Sequence, residues 1–382
     1  MSEWKRCQLS EFIQFKNGKK RPIKFGSTPV YGGNGILDYT DTANNENSVI
    51  IGRVGAYCGS VYYESNQHWV SDNAISAVNK DNSDIIFDYY LLKNLDLNYR
   101  HIGTSQPLLT QEILNTIEVA LPSLVEQRAI AAILSALDDK IELNNRINAN
   151  LEAQAQAIFK SWFQTPESSK WKHGFLSDMV EINPPRKVKN ETLLTYLEMA
   201  KLSISGPFPL GWTKRIFSGG MKFANGDTLL ARITPCLENG KAAFVNFLDK
   251  GGTGFGSTEY IVLSSKEGYP AEMTYLFARD KDFIDYAVKN MSGTTGRQRV
   301  SAEMIGKYQT PIPPENFVSS YSDIFATYFE RIRNNSFESR ALAVIRDTLL
   351  PKLMSGELRV QDIDDHATNY LETKEQKRET GK

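Results

Sequence analysis

Cysteine is scarce: the 382 residues hold three, Cys7, Cys58 and Cys236, with no Cys-x-x-Cys pair. An odd number at these spacings excludes a disulfide scaffold and a zinc finger, and makes a reducing cytoplasm the simplest setting. Long apolar runs are missing as well. No stretch approaches the roughly 20 residues of a membrane-spanning helix, and Met1 to Arg6 lacks the apolar segment of a signal peptide, so the chain is expected to be soluble and not exported. A charge excess is also absent. Lys+Arg number 44 and Asp+Glu 45, for a formal charge of −1, which excludes a uniformly basic nucleic-acid coat and restricts any such binding to local patches. With 41% hydrophobic and 23% charged residues, disordered and collagen-like chains are excluded. The length suits about two domains, each able to bury a core.

Catalytic signatures are equally thin. Asn183-Pro184-Pro185 is similar to the Asn-Pro-Pro-aromatic turn of amino-methyltransferases, but Arg186 stands at the aromatic position and no Gly-rich cofactor loop precedes it, so a plain turn is expected. Gly251-Gly252-Thr253-Gly254-Phe255-Gly256 lacks the lysine of a phosphate loop and the dinucleotide spacing, and reads as a flexible loop. Asp227, Glu238 and Lys241 lack the spacing of a metal-dependent nuclease. The four histidines, His68, His101, His173 and His366, have no metal-ligand spacing and read as solvated or core histidines.

What the chain does have is an internal repeat. Trp4-Lys5 and Leu9-Ser10-Glu11 recur as Trp171-Lys172 and Leu176-Ser177-Asp178, an offset of 167. Ile50-Ile51-Gly52-Arg53-Val54 answers to Leu229-Leu230-Ala231-Arg232-Ile233 at 179, Gly103-Thr104-Ser105 to Gly293-Thr294-Thr295 at 190, and Leu121-Pro122 to Ile312-Pro313 at 191. The offset only grows, as loop insertions in the second copy require. Each copy is too long for a solenoid unit, so two similar domains are expected, each followed by the same connecting element.

That element reads as helix. Ser123 and Glu126 form a capping box, after which Ile130, Leu134, Leu137, Ile141, Asn144, Asn148, Leu151, Ala155, Ile158 and Trp162 step by alternating fours and threes until Pro166. This is a heptad seam of about 40 residues, ~60 Å at 1.5 Å per residue. The second seam runs through Tyr321, Phe325, Tyr328, Ile332, Asn335, Ser339, Leu342, Arg346, Leu349 and Leu353. Two such helices separated by a domain pair most simply as an antiparallel coiled coil; the alternative is that each stripe packs on its own domain. The repeat mates Asn144 and Asn335 lie near the midpoint and are expected to face each other and fix the register.

Within the globular parts, Val49–Ile51, Val61–Tyr63, Thr228–Leu230 and Tyr260–Leu263 read as strands, and Asp88 to Leu97 and Ala271 to Asn290 as helix, for a mixed α/β fold. Two loop groups carry cations. Lys16, Lys19, Lys20, Arg21 and Lys24 cluster beside Phe15 and Phe25, a mix that suits phosphates and equally a solvated charge run. In the second copy Arg297, Gln298 and Arg299 follow Ser292-Gly293-Thr294-Thr295-Gly296, with Ser105 and Gln106 as first-copy counterparts. Arg suits bidentate contact with guanine and Gln with adenine; a clasp onto the protein's own acids is the alternative. Arg53 and Arg232 are weaker candidates, equally readable as structural braces.

Tyr31-Gly32-Gly33-Asn34-Gly35-Ile36, Gly103-Thr104-Ser105-Gln106-Pro107, Leu121-Pro122-Ser123 with Glu126-Gln127-Arg128, Leu137-Asp138-Asp139-Lys140-Ile141, Gly293-Thr294-Thr295-Gly296-Arg297-Gln298 and Leu350-Pro351-Lys352-Leu353-Met354-Ser355-Gly356 appear in order. On these motifs the chain to about Val360 resembles the specificity subunits of type I restriction-modification systems. The resemblance implies two target-recognition domains (1–122 and 166–312), two helical spacers (123–165 and 313–360) in a pseudo-twofold arrangement, and a polar tail (361–382). It implies a DNA-reading subunit without catalytic residues, each domain reading half of an asymmetric two-part target. Partners implied are double-stranded DNA, two modification subunits that bind S-adenosylmethionine and methylate adenine, and restriction subunits that use ATP and Mg. No cofactor or metal is assigned to this chain. The competing reading is a stand-alone DNA nuclease or methyltransferase.

Overall fold

A computed structural model describes residues 4–103, 106–294 and 296–360. The expected polar tail lies outside these residues. Two compact units divide the chain, residues 1–140 with 341–382 and residues 141–340, so the boundaries cut through both long helices instead of falling at their ends.

Unit 1 opens with β1 (Lys5–Gln8), β2 (Ile13–Asn17), β3 (Thr28–Gly32), β4 (Gly35–Thr40), β5 (Ser48–Gly52), β6 (Val61–Glu64), β7 (Trp69–Val70) and β8 (Ala74–Asn79). Helices α1 (Ile85–Asn94) and α2 (Gln111–Asn115), strand β9 (Glu118–Leu121) and the long α3 (Leu124–Trp162) follow. An antiparallel sheet in the order β2-β8-β5-β6 forms the centre, a second sheet runs β4-β3-β7 with β3 and β7 parallel, and β1 pairs with β9. β5 is Ser-Val-Ile-Ile-Gly and buried throughout, as expected of a central strand covered on both faces. Asp84 caps α1 by accepting from Ile86 N and Phe87 N, satisfying two orphan donors of the first turn.

Unit 2 repeats the plan. Its elements are β10 (His173–Phe175), α4 (Leu176–Met179), β11 (Val180–Ile182), β12 (Leu193–Leu197), β13 (Thr213–Ile216), β14 (Met221–Ala224), β15 (Asp227–Ala231), β16 (Ala242–Phe244), β17 (Thr253–Gly256) and β18 (Tyr260–Ser265). They continue with α5 (Met273–Ala278), α6 (Lys281–Lys289), α7 (Ala302–Gly306), β19 (Gln309–Pro311) and α8 (Glu315–Ser355). The central sheet is β11-β18-β15-β16, β10 pairs with β19, and the second sheet is β13-β12-β17-β14 with β12 and β17 parallel. Each pairing matches one in unit 1 except β14, an added strand that takes up part of the extra length of the second copy.

Gly251 and Gly252 lie in a turn, but β17 corrects the reading of Thr253 to Gly256 as flexible loop. Its glycines serve packing: a Cβ on Gly254 would stand 2.3 Å from the Phe223 ring, and one on Gly256 2.5 Å from Leu197 O. Only glycine admits so close an approach.

Both alternatives for the helix seams hold at once within each unit. In unit 1, Ile130, Ala131 and Leu134 of α3 and Leu350, Leu353 and Met354 of α8 share one core with Leu9, Phe12, Phe87 and Leu92. In unit 2, Phe159 and Trp162 of α3 and Phe325 and Phe329 of α8 join Leu230, Ile261 and Tyr275. The pairing is antiparallel: Trp162 lies 5.3 Å from Tyr321 and 5.5 Å from Phe325, ring to ring, whereas earlier in α3 Asn144 bonds Glu338. Trp162 is fully buried, so truncating it to alanine is expected to cost about 3–5 kcal/mol.

The capping box at Ser123 is half formed. Ser123 Oγ accepts from Glu126 N at 3.3 Å, but the Glu126 carboxylate turns instead to Trp4 Nε1 (3.0 Å) and to Arg359. The Glu126 and Gly356 motifs thus meet at Trp4, which Arg359 also covers with its guanidinium 5.1 Å from the ring centre.

Candidate nucleic-acid interface

In unit 1 the candidate residues converge on the short turn between β7 and β8. Gly18 N donates to Ala74 O at 2.9 Å, Lys19 N to Val70 O at 3.0 Å, and Arg53 N to Asn73 O at 2.9 Å. Gly18 is required there, because a Cβ would meet Ser71 O at 1.9 Å. The Arg53 carbonyl accepts from Leu109 N at 2.9 Å and Gly55 N donates to Pro107 O at 3.1 Å, so the segment carrying Gln106 is stitched to the strand end that carries Arg53. Ile102 and Leu108 close that segment by mutual backbone bonds of 2.9 Å. Ser105 lies outside the described residues.

Unit 2 builds the same arrangement. Arg232 N donates to Glu259 O at 3.0 Å and Arg232 O accepts from Val300 N at 3.0 Å; Thr234 N donates to Gln298 O at 3.1 Å. Ser292 and Arg299 close the glycine loop by two backbone bonds of 2.9 Å, and Ile233 bridges to Arg299. Arg232, Arg297, Gln298 and Arg299 are therefore one cluster, the counterpart of Arg53 and Gln106. In both copies the arginine at the strand end is only partly exposed, and its Nε is buried without a hydrogen-bond partner among the described residues. Leaving a buried N–H unpaired costs about 1–3 kcal/mol.

The cations differ in how free they are. Lys16, Lys19, Lys20, Gln106 and Arg297 are exposed. Arg21 pairs with Asp38 at 2.8 Å and Lys24 with Asp41 at 3.8 Å, both at the surface. Arg299 requires a correction: its guanidinium grips Glu259 with Nε 3.0 Å from each carboxylate oxygen and Nη2 2.8 Å from Oε1, and its Nη1 donates to Arg297 O. This bidentate pair is the clasp onto the protein's own acids that the sequence left open as the alternative, and it holds the loop. Glu259 lies 40 residues away in sequence, and no local pattern pointed to it.

Residues weighed for catalysis have structural partners. Asn183 takes a left-handed backbone (φ 54°), and its Oδ1 accepts from Val262 N at 2.8 Å, so the Asn-Pro-Pro segment is a turn fastened to β18. Asp227 is buried and accepts both Arg186 Nη2 at 2.6–2.7 Å and Ala224 N at 2.7 Å. His68 is buried, with Ser48 Oγ 2.8 Å from Nε2 and Asn66 O 2.8 Å from Nδ1, and burial pushes its pKa down. In the Tyr31 to Ile36 motif Tyr31 donates to Glu64 at 2.9 Å; burial, then that bond, pushes the phenol up.

On the helices Asn144 and Asn335 are both buried, but they do not pair amide to amide. Asn144 Nδ2 donates to Glu338 Oε2 at 2.8 Å and Ser339 Oγ at 3.3 Å, and lies 3.4 Å from the Asn335 carbonyl. Asn335 Nδ2 donates to Asn148 Oδ1 at 2.9 Å. The expected face-to-face contact is thus displaced by one turn into a relay, because side chains of antiparallel helices lean toward their own N-termini and meet the neighbouring turn.

These observations define a class: a tandem-repeat α/β protein that presents the same arginine-and-glycine loop cluster twice and is fastened by a helix pair. Residues 1–153 match the family model for the type I restriction modification DNA specificity domain. The MjaIX specificity subunit of Methanocaldococcus jannaschii is 25% identical over 313 residues, 72% of this chain and 69% of that protein. The HindI specificity subunit of Haemophilus influenzae is 24% identical over 330 residues, 66% of this chain and 71% of that one. The solved type I S subunit from M. genitalium shares the fold, with TM-score 0.63 and 18% identity over 92% of this chain and 96% of that one. Over these lengths the chain is similar to type I restriction-modification specificity subunits. Among the described residues no helix is long and apolar enough to cross a membrane.

Proposed function

We propose that this subunit is the DNA-reading component of a type I restriction-modification complex in the cytoplasm, with each globular domain reading one half of an asymmetric, two-part target. The observation that carries this is the twofold occurrence of one device: an arginine at the end of the central strand, its Nε unpaired, stitched by its own N–H and C=O to two loops, one of them glycine-bearing. An arginine left half-exposed at the same place in both copies suits an external acceptor, such as a guanine edge or a phosphate, through the outer nitrogens of its guanidinium. Exposed Arg297, Gln106 and the three free lysines extend the same surfaces in each unit. The chain supplies no catalysis in this reading. Two modification subunits bring S-adenosylmethionine and adenine methylation, and restriction subunits bring ATP, Mg and cleavage.

The test is to map methylated adenines in the host with and without this gene, and to assay the purified chain alone and with its methyltransferase partner. Methylation of a bipartite motif should vanish with the gene and require both subunits in vitro. Cleavage or methylation by the isolated chain would instead make it a stand-alone enzyme. Arg297→Ala should cost about 1–3 kcal/mol in binding and relax one target position if it reads a base. A uniform loss on all sequences marks a phosphate contact, and no loss removes the loop from the interface.

A further inference from the structure

The loop between β2 and β3 carries an exposed apolar pair that the fold does not use. Ile23 is 92% and Phe25 84% exposed. Single exposed apolar residues are ordinary, but this pair sits on a built support. At one end Gly18 and Lys19 are bonded to the β7–β8 turn and Trp69 Nε1 donates to Lys19 O at 3.2 Å. At the other, Gly26 lies so close to β4 that a Cβ would stand 2.3 Å from Thr40 O. Arg21 and Lys24 tie the middle to Asp38 and Asp41, and Pro22 stiffens the approach to Ile23. Exposed Lys16, Lys19 and Lys20 flank the pair without ion-pair partners among the described residues.

The corresponding loop of unit 2 differs. Arg186 folds inward onto buried Asp227, Lys222 Nζ ties the Arg186 carbonyl at 2.8 Å, and Val188 is half-buried. That loop offers Lys187 and Lys189 to solvent, and its exposed apolar residues are Pro185 near its start and Leu193 at the first position of β12, with no adjoining aliphatic–aromatic pair between them.

We infer that Ile23 and Phe25 form a wedge that enters a base step of the DNA half-site read by the first domain, while Lys16, Lys19 and Lys20 hold the adjoining phosphates. This rests on the DNA-reading function and adds a mode of readout to it. The occupant follows from the charge around the pair: a surrounding of unpaired cations repels a basic partner and draws a polyanion, and DNA is the polyanion whose interior offers apolar faces. Apolar side chains inserted beside basic residues unstack a step and favour sequences that deform easily, such as pyrimidine–purine steps. Specificity would then extend to positions with no hydrogen-bonded base contact, and only one of the two half-sites would be distorted.

The experiment uses the co-expressed complex with its methyltransferase subunits, and a duplex bearing the mapped target with 2-aminopurine placed at successive steps of each half. Fluorescence should rise several-fold at one step of the half read by the first domain and stay flat across the other. Ile23→Ser with Phe25→Ser should abolish the rise and weaken binding about tenfold, with the salt dependence unchanged because no phosphate contact is lost. Phe25→Trp in the Ile23 background should keep the rise. Tight binding by the native complex with no rise at any step, or an undiminished rise in the double variant, overturns the wedge and leaves DNA reading intact. Failure of the native complex to bind the duplex overturns both.

Discussion

Each unit sends a buried tyrosine hydroxyl onto a helix carboxylate, and the two complete that contact differently. In unit 1 Tyr90 donates to Asp138 at 2.7 Å, and the arginine that neutralises Asp138 is Arg346 of α8, so the contact locks one helix to the other. In unit 2 Tyr275 donates to Glu152 at 2.7 Å, and the balancing arginine is Arg279, from the globular part itself. Arg279 also donates to Gly240 O at 2.8 Å and Ile204 O at 2.9 Å; Ile204 lies in the β12–β13 connection, which is much longer than its β3–β4 counterpart. A tyrosine–carboxylate–arginine anchor therefore ties the two helices in unit 1 and holds an enlarged loop region in unit 2.

This comparison can be broken by removing each arginine. Glu152 and Arg279 side chains are 14% and 20% exposed, so Arg279→Met strands a carboxylate beside a single tyrosine and frees two carbonyls; a loss of about 3 kcal/mol is expected. Arg346→Met leaves Asp138, at 27% exposure, with Tyr90 and some water, and about 2 kcal/mol is expected. Hydrogen exchange of the intact chain separates the two. Arg279→Met should raise exchange in residues 141–340 only and Arg346→Met in 4–140 and 341–360 only. Equal effects on both units from either variant would show that the anchors are not local.

The units also differ in how the helix after the central sheet's last strand is fastened. In unit 2 Thr274 of α5 and Thr228 of β15 share a buried hydroxyl bond of 2.7 Å, a neutral pair. In unit 1 Asp88 of α1 is buried, with Ser83 donating to Oδ2 at 2.6 Å and Oδ1 unpaired among the described residues. Burial pushes the Asp88 carboxyl up to about 8, with the Ser83 bond opposing and Asp84 adding to the rise. The folded state then holds a proton at neutral pH that the unfolded chain has released. Unit 1 loses stability as pH climbs from about 4, by about 1 kcal/mol between pH 6 and 7, and levels off above about 8. Asp88→Asn should remove that slope in denaturant titrations at pH 6 and 7, while the exchange of unit 2 stays as in the native chain. A slope that persists in the variant assigns it to other groups.

Much of this plan was legible in the chain because the signals were local or duplicated. Trp4 and Trp171, Arg53 and Arg232, and the two heptad seams announced two copies and a helix pair, and the structure repeats every strand pairing but that of β14. What could not be read were partners distant in sequence. Ser123 and Glu126 have the spacing of a capping box, yet Trp4 and Arg359 compete for the same carboxylate. Arg299 has the composition of a base reader, yet Glu259 holds it. Gly251 to Gly256 has the composition of a loop, yet Phe223 and Tyr260 need its missing side chains. Local chemistry fixes what a residue can bond, and tertiary competition decides what it does bond. Phe25 stood out beside the loop's cations, but its partner Ile23 did not, since apolar residues are assigned to a core by default.

The smallest energetic effect, and the sharpest for the helices, is expected at the asparagine relay. Asn335 Nδ2 on Asn148 Oδ1 (2.9 Å) and Asn144 Nδ2 on Ser339 Oγ (3.3 Å) are the same contact in the two copies, since 144 and 335, and 148 and 339, are equally separated. Sliding the helices by one heptad would set Asn144 against Ile332 and Asn148 against Tyr328, burying amides without partners. Replacing both Asn144 and Asn335 by Leu removes hydrogen bonds but also a buried oxygen, Asn144 Oδ1, that has no partner among the described residues, and adds apolar contact, so stability should change by less than about 1 kcal/mol. The register should loosen nonetheless, because an all-apolar seam tolerates slippage that a polar position penalises. One heptad is ~10 Å of helix, or about three base pairs of a ~34 Å DNA turn, so the methylated motif of a host carrying the double variant should acquire a second gap length. A motif with one unchanged gap would retire the relay as a register device and leave it a packing detail.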